Sequence, residues 1–435
     1  MSLLPPFREL SDSIKSIQDS WFPCPEKLLD LAIESHIAHL EEESLLERDD
    51  PFFIADLGQV ARQHRAWKQG LPEVQPYYAV KCNSDPTLLK CLADLGTGFD
   101  CASVEEMRTV LSLGVNPSRI LFANPCKSAA AMDFARRAGV MLTTFDNIDE
   151  LEKIKVHIQD AALLLRIHAN DDSALISFGE KFGAHLNIAE SLISRAWNLQ
   201  LNVVGISFHV GTGASNPQAF CQAIKDARHV FGLAERQGFN PAILDIGGGF
   251  QDSHFSHMTP VVRAAIQNEF PSQVAVIAEP GRFYARSAYT LVSQVIARRR
   301  QLQKSASMGA LNMLYQNDGV YGNFMNVIME KEVMAPRLFS REKSKGRPLV
   351  KTLKKPDNER TTSTLSTPES HRYSIWGPTC DSIDCVVREM TFDREVRVGD
   401  WLIYRNMGAY TLTTATQFNG FNCSRKILYV NSESI

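Results

Sequence analysis

Residues that could do chemistry follow several short apolar runs in the first two thirds of the sequence. Lys81 ends the run YYAV, the triplet Gly247, Gly248 and Gly249 follows AILDI, and Glu279 follows VAVIA. Burial of a lysine at a strand end disfavours the charged form of its amine. Such a cost is expected where the amine has a use, for example in a Schiff base. On position alone, a salt-bridged lysine at the rim of the fold explains Lys81 equally well.

The glycine triplet and Arg282 together indicate an anion site. Three successive glycines let backbone N–H groups approach an anion closely, and Arg282, in the motif AEPGR (278–282), supplies a charge-matched fork. The loops after strands seven and eight of a (β/α)₈ barrel are a usual phosphate site. Three glycines alone more often mark a simple turn, so the inference depends on their position beside this arginine.

His209 ends a further apolar run, VVGISFH, and precedes the small-residue turn VGTG. A buried histidine is more often a satisfied core residue than a catalyst, but its place at a strand end favours a functional role. Asp100 and Arg166 also lie on predicted strands, where either could be half of a structural ion pair. A reactive lysine, a phosphate site, the acid Glu279 and a flat histidine together indicate pyridoxal phosphate, whose pyridine nitrogen the acid would keep protonated.

An aldolase that uses a Schiff-base lysine on a phosphorylated sugar is the alternative from these residues. It does not explain the polar clusters WGPTCDSID (376–384) and NMGAYT (406–411) further along the chain. The first of them carries Cys380 and Asp381 in a loop suited to projecting side chains. A small core residue and a turn former are the ordinary explanations of this cysteine and this aspartate.

The spacing of the apolar runs predicts the elements that position these residues. Eight runs alternate with amphipathic stretches, as expected for a (β/α)₈ TIM barrel whose parallel strands are buried on both faces. An open doubly wound sheet is the alternative, but no GxGxxG opens the first helix. The runs span 77–83, 98–103, 119–125, 141–147, 162–169, 203–211, 242–249 and 274–281.

The hydrophobic pattern of the sequence changes after about residue 289, where strand-like runs follow one another with few helical stretches between them. This predicts a C-terminal β-rich domain, with a barrel-like or sandwich-like sheet, beside the TIM barrel. We assign residues 1–56 to a segment that joins the β-rich domain, 57–288 to the barrel and 289–435 to the β-rich domain. Residues 340–370 are polar and rich in Pro, Ser and Thr, which predicts a mobile surface loop.

Composition excludes several classes of protein. The 435 residues carry a formal net charge of -3, which does not fit a globally basic nucleic-acid binder. No apolar run reaches the roughly 18 residues that span a bilayer, and the N-terminus lacks the layout of a secretory signal. The nine cysteines are scattered, so neither a disulfide framework nor a metal site is expected. We therefore expect a cytoplasmic protein without nucleic-acid or membrane partners.

The order of the motifs resembles the eukaryotic ornithine decarboxylase family, in the fold III group of pyridoxal-phosphate decarboxylases. The resemblance extends from about residue 50 to about residue 430. It is carried by YYAVKCN, GTGFDCAS, FANPCK, SFHVGTG, LDIGGGF, AEPGR, NDGVYGNF, WGPTCD, GDW, NMGAYT and FNGF.

The resemblance implies a role for each matching residue of the barrel. Lys81 would hold pyridoxal 5'-phosphate covalently, His209 would stack on its ring and Glu279 would face the pyridine nitrogen. Supporting polar residues around the lysine and the cofactor would be Asp100, Glu106 and Arg166. The cofactor phosphate would be bound by Thr212, where the family usually has serine, and by Gly247, Gly248, Gly249, Gly281, Arg282 and Tyr410.

The resemblance also implies a substrate side that includes Asp381, which would bind the distal amine, and Phe418, within FNGF. Cys380 would return a proton to the substrate carbon after carbon dioxide leaves. In this family the loop that carries the cysteine completes the site of a partner subunit. A head-to-tail homodimer with shared active sites is therefore implied.

The sequence departs from the family at the substrate pocket. Met329 and Glu330 stand where the family usually has a Tyr-Asp pair. The resemblance implies decarboxylation of L-ornithine to putrescine in polyamine biosynthesis, whereas this departure favours another basic or N-substituted amino acid in a specialised, alkaloid-type pathway. Arginine, lysine and diaminopimelate decarboxylases and a non-catalytic regulator like the antizyme inhibitors are further alternatives, and an antizyme-like partner is a related expectation.

Overall fold

The structure is a computed structural model that describes residues 24–40, 50–169, 181–211, 213, 216–300, 311–339, 371–421 and 425–433. The predicted loop 340–370 and Thr212 lie outside these residues. Among the residues described, no helix is long and apolar enough to cross a membrane.

The first part of the chain alternates helices and strands. Its elements are α1 (Pro25–Leu40), β1 (Phe52–Asp56), α2 (Leu57–Gly70), β2 (Val74–Ala79), α3 (Pro86–Asp94), β3 (Gly98–Cys101), α4 (Val104–Ser112), β4 (Ile120–Phe122), α5 (Ala129–Ala138), β5 (Leu142–Phe145), α6 (Ile148–His157), β6 (Ala162–Ile167), α7 (Leu186–Asn198), β7 (Asn202–Phe208), α8 (Pro217–Gln237), β8 (Ile243–Asp245), α9 (Asp252–Glu269), β9 (Ala275–Ala278) and α10 (Arg282–Ala285).

The rest of the chain consists mainly of strands. Its elements are β10 (Tyr289–Arg299), β11 (Asn312–Gln316), α11 (Met325–Met329), β12 (Arg337–Phe339), β13 (His371–Trp376), β14 (Cys385–Phe392), β15 (Trp401–Tyr404) and β16 (Lys426–Val430).

Strands β2 to β9 pair in sequence order and form a closed parallel barrel. The pairing of β2 with β9, in which Val74 lies opposite Val276, closes it. Leu121, Leu164 and Ile277 form a buried cluster of their own on these strands. The predicted TIM barrel is therefore confirmed, and the open doubly wound sheet is wrong because an open sheet would leave two of these strands as edges.

Short sequence signals set the ends of the helices around the barrel. Helix α3 begins at Pro86, and the side chain of Asp85 accepts a hydrogen bond from the Thr87 amide at 3.1 Å. Helix α4 has a reciprocal cap, in which Ser103 accepts from the Glu106 amide at 3.2 Å and the Glu106 carboxylate accepts from the Ala102 amide at 2.6 Å. These caps fix where each loop leaves its strand, and the loops carry the functional residues.

The β-rich domain is assembled from both ends of the described chain. Its sheet has the strand order β12-β15-β10-β11-β13-β14, with β1 paired to β10 and to β16. Strand β1 pairs in parallel with β16, so that Phe52 lies opposite Lys426. The predicted β-rich domain is confirmed, and β1 joins its sheet just before the chain enters the barrel.

Helix α1 covers this sheet with its apolar face and buries His36. The His36 ring lies edge-on to the Phe52 ring, with 4.4 Å between their centroids. Burial lowers the pKa of His36 from its ordinary 6.5 to about 4, and the positive charge of Lys426 adds to this effect. Because the unfolded chain binds the proton more readily, this site favours folding fully above pH 6.5, and the contribution falls as the pH decreases towards 4.

We expect the His36→Leu variant to lose less stability than the wild type between pH 7 and pH 5. The wild type should lose about 2 kcal/mol over this range because the folded form resists protonation of His36. Thermal unfolding midpoints measured across this range check the prediction, with the exposed His257→Gln on α9 as control. Equal pH dependence in the wild type and His36→Leu would show that His36 is not responsible.

Candidate active site

Lys81 and Asp100 form an ion pair at the C-terminal end of the barrel. Lys81 lies in a single 3₁₀ turn directly after β2, and Asp100 lies on β3 opposite Ala79. The lysine Nζ is 3.1 Å from Oδ2 of Asp100. The carboxylate is buried, whereas 41% of the lysine side chain is exposed, so a ligand that enters the barrel mouth can reach this amine.

The electrostatics of the barrel mouth keep Lys81 charged. Desolvation of its amine lowers the pKa, but the negative charge of Asp100, together with Tyr410 and Glu279, raises it by more, so the net shift is upward. The lysine is therefore a stable cation until a ligand displaces Asp100 or reacts with the amine.

Glu279 and Asp245 are two buried carboxyl groups on neighbouring strand ends. Strand β8 ends at Asp245, and Glu279 follows β9. The Gly247 amide donates to Oδ1 of Asp245 at 2.9 Å, and the Glu279 amide donates to the Gly247 carbonyl at 2.6 Å. Burial raises the pKa of both carboxyl groups, and the charge of Asp245 raises the pKa of Glu279 further. A cation placed against Glu279 would counter this desolvation.

The glycine triplet lines the mouth with backbone alone. Gly247 adopts φ +65°, in the left-handed region that favours glycine. A Cβ on Gly248 would lie 2.7 Å from Nε2 of His209 and 2.9 Å from the Glu279 carbonyl oxygen. Side chains are therefore excluded from a surface that an anionic group can approach.

His209 follows β7 and is held in one orientation. Its Nδ1 accepts a hydrogen bond from the Gly211 amide at 3.0 Å. Burial lowers the pKa of His209, and the charges of Arg166 and Lys81 lower it further. The ring is therefore neutral near pH 7 and carries its proton on Nε2, so it presents a flat aromatic face without a charge.

Arg282 opens α10 and pairs with Glu330. Its Nη2 donates to Oε1 of Glu330, and both side chains are buried, at 5% and 4% exposed. The guanidinium carbon lies 5.1 Å from the centroid of the Tyr410 ring. Burial lowers the pKa of Arg282, but Glu330 and the neighbouring Cys82 and Tyr410 raise it by more. The arginine therefore remains charged and is held in place by a residue that follows α11.

Buried polar atoms at the barrel mouth indicate that a ligand completes this site. Such atoms are normally hydrogen-bonded, and those without a partner in the described part of the chain include Asp100 Oδ1, Ser207 Oγ, Arg282 Nε and Glu330 Oε2. A glycine-lined cradle beside a charged arginine, a reactive amine, a flat neutral ring and a buried acid fit a ligand with a phosphate, an aldehyde and a heteroaromatic nitrogen. The residues present therefore fit pyridoxal phosphate.

Cys380 and Asp381 lie in a second group of residues on the β-rich domain. The exposed Cys380 donates its backbone amide to Oδ1 of Asn419 at 3.1 Å. The hydroxyl of Tyr321 donates to Oδ2 of Asp381 at 2.5 Å, which lowers the pKa of this carboxyl group. The rings of Tyr321 and Phe418 stack with 4.2 Å between centroids.

The anchor of this second group is Asp384, which is buried. It accepts hydrogen bonds from the Val320 amide at 2.7 Å and from the Thr379 amide at 3.0 Å. The loop that carries Cys380 is therefore tied to the loop after β11. Phe418 is 41% exposed, so this group presents apolar surface as well as a thiol and a carboxylate. Met329, the last residue of α11, is 58% exposed.

Of the predicted cofactor residues that the structure describes, the barrel mouth gathers Lys81, Asp100, His209, Glu279, Arg282 and the glycine triplet, whereas Cys380, Asp381 and Phe418 form a separate group. Arg166 lies near the site, where its charge acts on His209 and Glu279, and its guanidinium carbon is 5.4 Å from the centroid of the Phe182 ring. Sequence reasoning overlooked Asp245 and Tyr321. The sequence does contain a signal for Asp245, because this acidic residue ends the apolar run that precedes the glycine triplet.

Comparisons with known proteins agree with this site. Residues 57–286 match the family described as pyridoxal-dependent decarboxylase, pyridoxal binding domain. The chain is 45% identical over 404 residues to ornithine decarboxylase of Neurospora crassa, covering 88% of this chain and 81% of that protein. It is 40% identical over 398 residues to antizyme inhibitor 2 of Xenopus laevis, covering 88% and 82% respectively.

A solved structure gives the same fold. The arginine decarboxylase of Paramecium bursaria Chlorella virus matches with a TM-score of 0.80 and 34% sequence identity, over 92% of this chain and 100% of that one.

A barrel mouth with a paired lysine, a glycine cradle and a buried acid defines a pyridoxal-phosphate enzyme of the barrel type. The chain belongs to the family of pyridoxal-dependent decarboxylases, on the side of the eukaryotic ornithine decarboxylases. The predicted cofactor, pyridoxal 5'-phosphate, and the predicted carboxy-lyase class are confirmed. The non-catalytic regulator is not favoured.

We expect the Gly248→Ala variant to bind pyridoxal phosphate about 10- to 100-fold more weakly, since the added methyl group displaces His209 or the Glu279 backbone and so disturbs positioning contacts. Absorbance titration of the apoprotein with the cofactor measures this. Gly232→Ala in the middle of α8, where a Cβ meets only the end of the Arg236 side chain at 3.3 Å, is the control. Unchanged affinity in Gly248→Ala would remove the triplet from the cofactor site.

Proposed function

We propose that this enzyme decarboxylates L-ornithine to putrescine and carbon dioxide, and so acts in polyamine biosynthesis. The observation that carries the proposal is the convergence of the Lys81–Asp100 pair, Glu279 and the glycine triplet at one barrel mouth. Ornithine is favoured over arginine because the identity to ornithine decarboxylase of Neurospora crassa is higher than the identity to the viral arginine decarboxylase.

The residues of the barrel mouth have distinct tasks in this proposal. Pyridoxal phosphate supplies, when bound, an electron sink for the electron pair left at Cα as carbon dioxide departs. Lys81 binds the cofactor through its amine, and the carboxylate of Glu279 stabilises a proton on the pyridine nitrogen. The neutral ring of His209 covers one face of the site and excludes water. Arg282 and the glycine amides bind the phosphate.

We assign recognition of the substrate to the carboxylates of Asp381 and Glu330 and to Met329. Asp381 binds the distal ammonium group, and its hydrogen bond from Tyr321 supports this role because that contact keeps the carboxyl group ionised. Glu330 is tied through Oε1 to Arg282, which leaves its buried Oε2 as the atom able to accept a cation. Cys380 returns the proton to Cα through its thiol.

We expect carbon dioxide release to be fastest with L-ornithine in a panel that includes L-lysine, L-arginine and N-methyl-L-ornithine. A change of one methylene group in a fitted substrate changes specificity by about 10- to 200-fold in kcat/KM. The Lys81→Ala variant should have no turnover on any of them. Faster release from the N-methylated substrate than from ornithine would overturn the substrate assignment and leave the decarboxylase class intact.

A homodimer with shared active sites is the proposed assembly. Cys380, Asp381 and Phe418 form their own group on the β-rich domain, and the hydrogen bonds of the cysteine and the aspartate run to residues of that domain. Two copies related by a two-fold axis would bring this group of one subunit to the barrel mouth of the other. The exposed Ile383, Met329 and Phe418 provide apolar surface for such contact.

Mixing two inactive variants tests this assembly. We expect Lys81→Ala and Cys380→Ala proteins, mixed in equal amounts and allowed to exchange subunits, to recover about one quarter of wild-type activity. Half of the dimers would then be mixed, and each mixed dimer would have one intact site of two. Activity of the mixture that stays at the sum of the two variants, despite subunit exchange shown by differently tagged chains, would contradict shared sites.

The cytoplasm is the proposed compartment, because the proposed proton donor must remain a free thiol. All eight described cysteines are unpaired, which agrees with a reducing environment. An antizyme-like protein is a proposed regulator, on the strength of the similarity to antizyme inhibitor 2.

A further inference from the structure

Asp245 is a buried carboxyl group that the proposed reaction does not use. Its side chain is fully buried at the end of β8, and Oδ1 accepts the Gly247 amide at 2.9 Å. Oδ2 is also buried and receives no hydrogen bond from the described part of the chain. An ionised carboxylate in this place would have an unsatisfied oxygen in a medium of low dielectric constant, which is costly.

The group that Asp245 faces is another carboxyl group. Asp245 and Glu279 lie at the ends of adjacent strands, and each side chain influences the ionisation of the other. The register explains the contact, because Asp245 lies opposite Ile277 on β9 and the Glu279 amide is bound to the Gly247 carbonyl. A hydrogen bond between two carboxyl groups requires a proton between them, since both are acceptors when ionised.

The surrounding charges do not remove the need for this proton. The other titratable or charged groups that influence the pair are Asp100 on β3, Arg166 on β6, Tyr77 on β2 and Lys81 directly after β2. Burial is the largest influence and raises the pKa of both carboxyl groups, while Asp100 repels a second negative charge and Arg166 and Lys81 attract it. Two carboxyl groups in contact cannot both ionise at neutral pH under these conditions.

We propose that Asp245 is a positioning residue, which shares one proton with Glu279 and thereby aims the Glu279 carboxylate at the pyridine nitrogen of the bound cofactor. When that nitrogen carries a positive charge, the negative charge of the pair settles on Glu279, and the shared proton stays on Asp245. The protonated Asp245 then donates a hydrogen bond to Glu279, while Oδ1 of Asp245 still accepts the Gly247 amide and holds that turn in place. The inference concerns the cofactor and is independent of the identity of the substrate.

An amide can reproduce a protonated Asp245, which makes a sharp test. Asp245→Asn keeps one donor towards Glu279 and one acceptor for Gly247. We expect its dissociation constant for pyridoxal phosphate to stay within about threefold of the wild type, because no hydrogen bond is lost. Asp245→Ala removes both contacts and should raise the constant about 10- to 100-fold. Glu279→Gln should weaken binding by a similar factor, since it removes the charge itself.

The pH dependence of stability gives a second measurement that a plain turn residue would not change. The folded apoprotein holds a proton that the unfolded chain releases above the ordinary carboxyl range, so this pair contributes most at low pH. Its contribution is lost as the pH rises through the raised pKa of the pair. Asp245→Asn should therefore show a smaller decrease in the thermal unfolding midpoint between pH 6 and pH 8.5. Asp149→Asn, an exposed change on α6, should follow the wild type.

The outcomes separate the proposal from its rivals. If Asp245→Asn binds the cofactor as weakly as Asp245→Ala, the residue acts as a negative charge, and the proposal is overturned. If the pH dependence of unfolding is the same in Asp245→Asn and the wild type, no proton is shared. These results leave the decarboxylase activity and its substrate untouched, because Lys81→Ala and the substrate panel test those separately.

Discussion

The ion pair of Lys81 with Asp100 is the contact on which the barrel mouth depends. A charged amine directly after a buried strand is tolerated because Asp100, a buried carboxylate on the neighbouring strand β3, lies beside it. The same pairing of strand ends sets the distance from Lys81 to the acid after β9 and to the arginine of α10. Closure of the barrel therefore brings these separate polar residues close enough to form one electrostatic unit.

Carboxylates accumulate around this unit. Asp100, Asp245, Glu279 and Glu330 are all buried close to it, whereas Lys81, Arg166 and Arg282 supply the positive charges. The remaining charges of the site are neutralised by protons on carboxyl groups and by a ligand that carries both a cationic nitrogen and an anionic group. This need for neutralisation explains why a cofactor with a phosphate and a pyridine nitrogen suits the site.

Glu330 joins two parts of the site through one contact. The resemblance placed an aspartate of the substrate pocket at this position, and the longer glutamate reaches Arg282. A residue proposed to bind the phosphate and a residue proposed to bind the substrate are thereby joined through one buried ion pair. Met329, by contrast, is exposed at the end of α11.

The barrel, the β-rich domain and the cofactor were predictable from the sequence because apolar runs with polar ends are local patterns. Lys81, Glu279 and the glycine triplet were found in this way, since each stands directly after its strand. Only the tertiary structure decided which of these residues touch. The Asp245–Glu279 contact, the reach of Glu330 to Arg282 and the pairing of β1 with β16 join positions far apart in the chain. Such contacts depend on register and side-chain length across the whole fold, which no local pattern of residues records.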